Sequence, residues 1–488
     1  MASANQNKIA PEQSSLDSVR FAEKPKQVTF EQFMVEHLGS LGRYQLIQFL
    51  LVCIPSAFVS LHVMSWTFVS IPSCSGGENC TINGYSAADR WNLQGDRAWI
   101  KATVQSLYYI GHMVGATLWG IVSDKFGRKK AYCIAITAQI SCGLVLIIAP
   151  TWWLFGIFKL GTGVAHPGLY AVSIVLATEL LGATWRRLSA IGAGILGAVG
   201  ELILAGLAYL IRDYRALHAA FVLPSLLFIS YWWLVPESLR WLVLQGRFDE
   251  ADRVMSKAAR INKANIPDKW WEKLEISANT KQTAGFLDLF RTQKLRRRIL
   301  VAILVWPVNS MVYYGLTMKS DVGGGSLYVN FAISAAMELP GLIVLYLLMD
   351  RIGRRRLISC SLAIAGICLV LNWAIGDNVP VYWGMVQIAI AKGAITVSYT
   401  GVYAYTSEMF PTVIRNTAVG CCSTASRIGA IAASYVALWL VDEYGKLAMV
   451  IPFSLLALIS AALTALLLPE TMNKPLPETI DDVEGKNQ

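Results

Sequence analysis

The amino-acid sequence predicts an all-α polytopic membrane protein, with twelve transmembrane helices arranged as two six-helix pseudo-repeats. Three observations carry that prediction. Of the 488 residues, 55% are hydrophobic and only 15% are charged. Soluble domains carry about a quarter charged residues, so lipid is the solvent for most of this chain. The apolar residues fall into about a dozen runs near the length that crosses a bilayer. Three motif pairs recur in the same order at near-equal offsets along the chain.

The spans are read at 44–70, 99–122, 131–149, 152–178, 188–211, 216–236, 298–318, 326–349, 357–376, 380–404, 416–440 and 446–468. Residues 1–43 precede them as a polar tail, and 1–27 read as disordered. The first 40 residues hold no apolar signal-peptide core, so the first span serves as its own insertion signal. Residues 44–236 form a first bundle with an outer loop at 71–98. Residues 237–297 form a cytoplasmic linker, 298–468 a second bundle, and 469–488 a C-terminal tail. In the linker, Phe248, Ala251, Val254, Met255 and Ala258 recur at helical spacing, which predicts amphipathic helices at the cytoplasmic face.

Cations fix the orientation. Lys125, Arg128, Lys129 and Lys130 follow span 2, and Arg351, Arg354, Arg355 and Arg356 follow span 8. Alternating spans put these loops and the linker on one side, which the positive-inside bias makes cytoplasmic. Both termini are then inside and loop 71–98 is outside. The net charge of +10 is accounted for by this topology, and no nucleic-acid-binding signature accompanies it. Cys74 and Cys80 flank a Gly-rich turn in the outer loop, where a disulfide between them and glycosylation at Asn79 are expected. The other seven cysteines lie in apolar stretches as small core residues, and no cysteine belongs to a metal-ligand pattern.

The repeats are specific. Asp124-Lys125-x-Gly127-Arg128-Lys129 is echoed by Asp350-Arg351-x-Gly353-Arg354-Arg355 at an offset of 226 residues. Glu179 and Arg186 are echoed by Glu408 and Arg415 at 229, and Pro236-Glu237-Ser238 by Pro469-Glu470-Thr471 at 233. One such turn would mean little; three pairs in register imply a duplicated unit. Glycine lets the short turns reverse tightly. Asp124 and Asp350 are expected to face helix N-termini. The arginines are expected to pair with Glu179 and Glu408 and, with Glu237 and Arg240, to hold an inner gate. At ~1 kcal/mol per pair, a set of them biases a two-state equilibrium by a few kcal/mol.

The chain resembles the organic ion transporters of the major facilitator superfamily over about residues 30–480. The resemblance rests on four blocks: Val235-Pro236-Glu237-Ser238-Leu239-Arg240-Trp241-Leu242, Asn309-Ser310-Met311-Val312-Tyr313-Tyr314-Gly315-Leu316, Glu408-Met409-Phe410-Pro411-Thr412-Val413-Ile414-Arg415-Asn416 and Leu468-Pro469-Glu470-Thr471. The stretch Cys422-Ser423-Thr424-Ala425-Ser426-Arg427-Ile428-Gly429 looks most like the organic cation/carnitine branch. Strict cation carriers tend to have an acid where Arg427 stands, and anion carriers a base. Three features depart from the family: a short first outer loop, Leu169-Tyr170 in span 4 where Asn-Tyr is common, and Glu201 in place of a span 5 Tyr. The resemblance implies the major facilitator fold and transport of a small organic ion by alternating access at the plasma membrane, with sodium or a proton as the possible coupling ion.

Four charges stand out inside predicted spans: Glu201, Glu338, Lys392 and Arg427. Each costs ~2.5–3.5 kcal/mol at the bilayer centre, so each needs a partner or a water-filled cavity. Glu338 and Lys392 are equally suited to pairing with each other or to gripping substrate. Arg427 suits a carboxylate, held bidentately. Glu338 or Glu201 suits an amine, with help from the faces of Trp306, Tyr170, Tyr313, Tyr314, Tyr399 and Tyr403. Glu201 is also a candidate for proton exchange, with His166 and His112 behind it. No nucleophile–base set, metal cluster or cofactor motif calls for an enzyme. The expected cargo is a small organic cation or zwitterion. An organic anion, a sugar, or a receptor that does not transport are the other readings.

Overall fold

The computed structural model describes residues 29–72, 86–181, 186–274, 286–375, 380–474 and 476–484. Asn79, Cys74 and Cys80 lie outside the described residues.

Each apolar run becomes one long helix because the hydrocarbon leaves backbone N–H and C=O groups no other partner. In the first half these are α2 (Arg43–Val69), α3 (Trp99–Phe126), α4 (Arg128–Ile148), α5 (Trp152–Leu180), α6 (Arg186–Leu210) and α7 (Tyr214–Leu234). A short helix, α1 (Phe30–Leu38), precedes them, and α8 (Leu239–Leu244) and α9 (Phe248–Asn262) follow. The second half holds α10 (Gln293–Met318), α11 (Leu327–Ile352), α12 (Arg354–Ile375), α13 (Val381–Met409), α14 (Thr412–Tyr444) and α15 (Leu447–Leu467), with a last turn α16 (Ile480–Glu484). Among the described residues, eleven helices are long and apolar enough to cross a membrane. The remaining predicted span, α3, has 28 residues, ample for crossing, but carries Gln105, Tyr108, Tyr109 and His112, all buried within the protein.

Helix pairing repeats between the halves. In the first, α3 packs on α5, α4 on α5, α2 on α6, and α4 on α7. In the second, the counterparts pair alike: α11 on α13, α12 on α13, α10 on α14, and α12 on α15. The halves meet through α6 against α11 and α3 against α14. These two contacts exchange under the pseudo-twofold, which makes the molecule a duplicated six-helix unit of the major facilitator type.

Small residues allow the closest approaches. A Cβ on Gly200 of α6 would run into the backbone of Ala57 on α2, and a Cβ on Gly429 of α14 into the backbone of Pro307 on α10. These glycines are 229 residues apart, the offset of the Glu179 and Glu408 pair. At the basic end, α9 buries Ala251, Met255 and Ala258 in a cluster with Phe33 and Met34 of α1. Its apolar face is therefore covered by protein. Asn262 ties the pieces together: its Oδ1 accepts from the Tyr44 N–H at 2.9 Å, and its Nδ2 donates to the Leu38 carbonyl at 3.1 Å.

Replacing Gly200 by Val should force α2 and α6 apart. Overpacking costs about 1–3 kcal/mol, so the purified variant should melt earlier than wild type in detergent. Unchanged melting would mean the helix contact is looser than described.

Candidate substrate site and the two closing ends

The basic end is built twice. Gly127 and Gly353, at φ 107° and 99°, occupy left-handed backbone, which only glycine adopts without strain. A Cβ there would also strike Glu237 in the first half and Glu470 in the second. Those two glutamates cap the helices that follow. Glu237 Oε1 accepts from the Lys129 N–H at 2.9 Å, and Glu470 Oε1 from the Arg354 N–H at 3.0 Å. Asp124 and Asp350, expected at the helix N-termini, instead pair with Arg128 at 3.1 Å and Arg354 at 2.8 Å. Each pair spans the glycine turn, from the last turn of one helix to the first residue of the next. Arg128 lies 3.6 Å from Glu179, and Arg354 lies 3.0 Å from Glu408, as the repeat pattern anticipated.

The two caps differ in environment. Burial pushes the Glu237 carboxyl above the usual range despite its N–H donors and Arg128. Burial works the same way on Glu470, but the N–H groups of Met472, Thr471, Arg355 and Arg354 outweigh it and hold this carboxyl below that range. Arg415 donates to the carbonyls of Phe410 at 3.3 Å and Pro477 at 3.5 Å. Arg240 is exposed and lines a shallow recess with Glu179 and Phe30. The side chain of Arg186 lies outside the described ones.

The opposite end is closed by a bridge between halves. Lys101 of α3 donates to Asp442 of α14 at 2.7 Å, and Lys319 reaches the other Asp442 oxygen at 3.0 Å. Beside it, the hydroxyls of Thr103 and Tyr435 lie 3.2 Å apart. The sequence reading did not single out this latch, because its partners are 341 residues apart and match no repeat.

Between the ends lies a buried cluster of rings and charges. Tyr313 and Tyr399 stack at 4.6 Å, the Tyr314 and Tyr399 hydroxyls are 3.3 Å apart, and Trp306 meets Tyr403 edge-on at 4.4 Å. Tyr109, absent from the sequence-based set, joins from the first half at 4.9 Å from Tyr314. Tyr170 lies nearby on α5, its ring 5.9 Å from His166. Arg427, 4% exposed, donates to Tyr314 Oη at 3.4 Å and Tyr403 Oη at 3.3 Å, while its Nε has no hydrogen-bond partner. Glu338 and Lys392 are paired at 2.7 Å. His166 and His112 pack ring to ring at 4.2 Å, and the Tyr108 hydroxyl lies 2.6 Å from His166 Nδ1. A fifth intramembrane charge, Lys159 on α5, is wholly buried against the His62 carbonyl, the Ser65 hydroxyl and the Tyr108 ring. It was legible in the sequence as a lysine inside an apolar run.

Residues 53–482 match the family model described as "Sugar (and other) transporter". An organic cation transporter protein of Drosophila melanogaster is 33% identical, over 93% of this chain and 94% of its own length. The chain belongs to the organic ion transporters of the major facilitator superfamily. The human organic cation/carnitine transporter 2 is also 33% identical, over 84% of this chain and 74% of its own length. In fold, the chain is similar to the inward-open xylose transporter of E. coli, with a TM-score of 0.69 at 17% identity, covering 91% of this chain and all of that one. It is therefore a multi-pass membrane transporter of small organic substrates and not an enzyme, as its family membership requires.

Substituting Asp442 by Asn removes the carboxylate that joins Lys101 and Lys319. A loss of about 1 kcal/mol shifts a two-state ratio roughly fivefold. Spin labels at Asp96 and Glu443 should then show a larger population of long distances. An unchanged distance distribution would rule out a latch role for Asp442.

Proposed function

We propose that this transporter carries a small organic cation or zwitterion of the carnitine or betaine type by alternating access. It works at the plasma membrane with both termini cytoplasmic. The substrate binds between Arg427 and the ring cluster of Trp306, Tyr170, Tyr313, Tyr314, Tyr399 and Tyr403. The basic loops, counted by the positive-inside bias, support the orientation. The names of the relatives support the substrate class.

The observation that carries this reading is the state of Arg427. Among the described residues this guanidinium, removed from water and met by phenol hydroxyls, has no carboxylate partner, the acceptor its fork fits best. A substrate carboxylate would supply that partner, and the surrounding rings would take a quaternary ammonium on their faces. Glu338 and Lys392 satisfy each other, so they brace the pocket and leave the grip to Arg427. The two ion-paired sets, Asp124–Arg128–Glu179 and Asp350–Arg354–Glu408, close the inner side while substrate loads from outside, with Glu237 holding the first set in place. Arg240 and Arg415 flank them. The same lone arginine favours a second reading, an organic anion carrier or exchanger.

Uptake of labelled L-carnitine, tetraethylammonium, urate and D-glucose into proteoliposomes separates these readings. L-carnitine should be transported and D-glucose should not. Arg427→Ala should lose about 1.5–3 kcal/mol of substrate binding, a roughly ten- to hundredfold weaker apparent affinity. Arg427→Lys should recover part of it. Transport of urate alone would establish the anion reading, and equal L-carnitine affinity in Arg427→Ala would reject the proposed grip.

A further inference from the structure

Glu201 is the one acid among the four singled-out intramembrane charges that the site described above leaves unused. It sits on α6, 5% exposed, and its Oε2 has no hydrogen-bond partner. Across the interface from α6 runs α11, and the two helices are antiparallel. Gly194 of α6 faces Leu342 of α11. Glu201 lies two turns beyond Gly194, and Glu338 lies one turn before Leu342, so helix geometry brings both carboxyls toward one level of the interface.

The second half holds a closed set there. Lys392 Nζ donates to Glu338 at 2.7 Å and to Thr317 at 2.5 Å, and lies 3.4 Å from the Tyr313 ring centroid. The Tyr313 hydroxyl donates to Glu338 at 2.6 Å. One cation and one anion balance. Glu201 brings a second anion to the interface where α6 packs against α11. From α5, which also touches α6, Tyr170 is the titratable ring of the site described above, and α2 meets α6 with Ala57 and Ser60 at Gly200 and Gly197. His218 of α7 is engaged by Ser65 and the Tyr214 carbonyl. Two acids thus share one lysine, and the cluster is electrically neutral only when it takes up one more positive charge.

We infer that Glu201 takes up and releases one proton per cycle, coupling substrate movement to the proton gradient. This rests on the transport reading. With the halves closed on each other, Glu201 is a neutral acid beside the Glu338–Lys392 pair. When α6 and α11 part on one side, water reaches the carboxyl, the O–H bond breaks and the proton leaves to water. The anion regains a proton from hydronium when the site opens on the other side. The burial cost of a lone carboxylate makes closure without the proton unfavourable, which ties the proton to the rocking step.

The test uses purified wild type, Glu201→Gln and Glu201→Asp in proteoliposomes, with labelled L-carnitine and tetraethylammonium as probes. An imposed pH gradient should change the wild-type uptake rate several-fold. Glu201→Gln should lose that response yet still exchange labelled for unlabelled probe, and Glu201→Asp should restore the response. A wild type indifferent to the gradient, or a Glu201→Gln that still follows it, overturns the proposal. If neither probe moves, the transport reading fails for these substrates and infrared titration decides separately. Wild type should then show a protonated carboxyl band at neutral pH that Glu201→Gln lacks, and identical spectra overturn the proposal.

Discussion

A charge placed among lipid-solvated helices must find its counter-charge, its hydrogen bonds or water inside the bundle, because hydrocarbon offers none of them. The packing of this transporter follows from where those needs are met. Lys392 is met by Glu338, Thr317 and the face of Tyr313. Lys159 is met by a carbonyl, a hydroxyl and the Tyr108 ring, neutral groups that leave its charge uncancelled. Arg427 receives phenol hydroxyls and Glu201 leaves an oxygen bare. Glu338 on α11 and Glu201 on α6 both stand on helices that bridge the halves, as does Arg427 on α14, which packs against α3.

The same logic explains the duplicated turns. A glycine at positive φ reverses the chain within one residue, and a half-buried glutamate from just past the sixth helix of each half caps the helix that begins there. The cap ties three helices of a half together at the basic end, so that end moves as a unit. The two copies are not equivalent. Glu470 collects enough N–H donors to stay ionised more readily than a free carboxyl, and Glu237 does not. A proton on Glu237 would leave the Lys129 N–H with a weaker acceptor, so acid loosens the first half's turn before the second's.

The helices were legible because hydropathy, glycine and loop cations all speak to them locally. Eleven spans begin and end within a few residues of the apolar runs, and the remaining one, α3, is less apolar because Lys101, Gln105, Tyr108, Tyr109 and His112 are buried against protein. The ion pairs Arg128–Glu179 and Arg354–Glu408 were legible because duplication wrote them twice. What sequence could not show was partnership without periodicity. The Lys101–Asp442 bridge joins residues far apart in the chain, and the capping by Glu237 and Glu470 depends on how the sixth helix of each half returns to the second turn. The predicted linker helix formed where its apolar spacing placed it, but its cover came from α1, inside a tail read as unstructured up to residue 27.

The two ends of the molecule are closed by different means, and this bears on how a rocking motion is paid for. At the basic end the sets Asp124–Arg128–Glu179 and Asp350–Arg354–Glu408 each join helices of one half. At the other end Lys101 and Asp442 join opposite halves, so rotation must break them. With Lys319 also holding Asp442, the aspartate keeps a cation when Lys101 leaves, which lowers the cost of parting. The closures are thus asymmetric: one bridges the halves and the other lies within each. Between the two ends, the rings of Tyr109 and Tyr314 join the halves at 4.9 Å, so the ring cluster beside Arg427 is built from both of them.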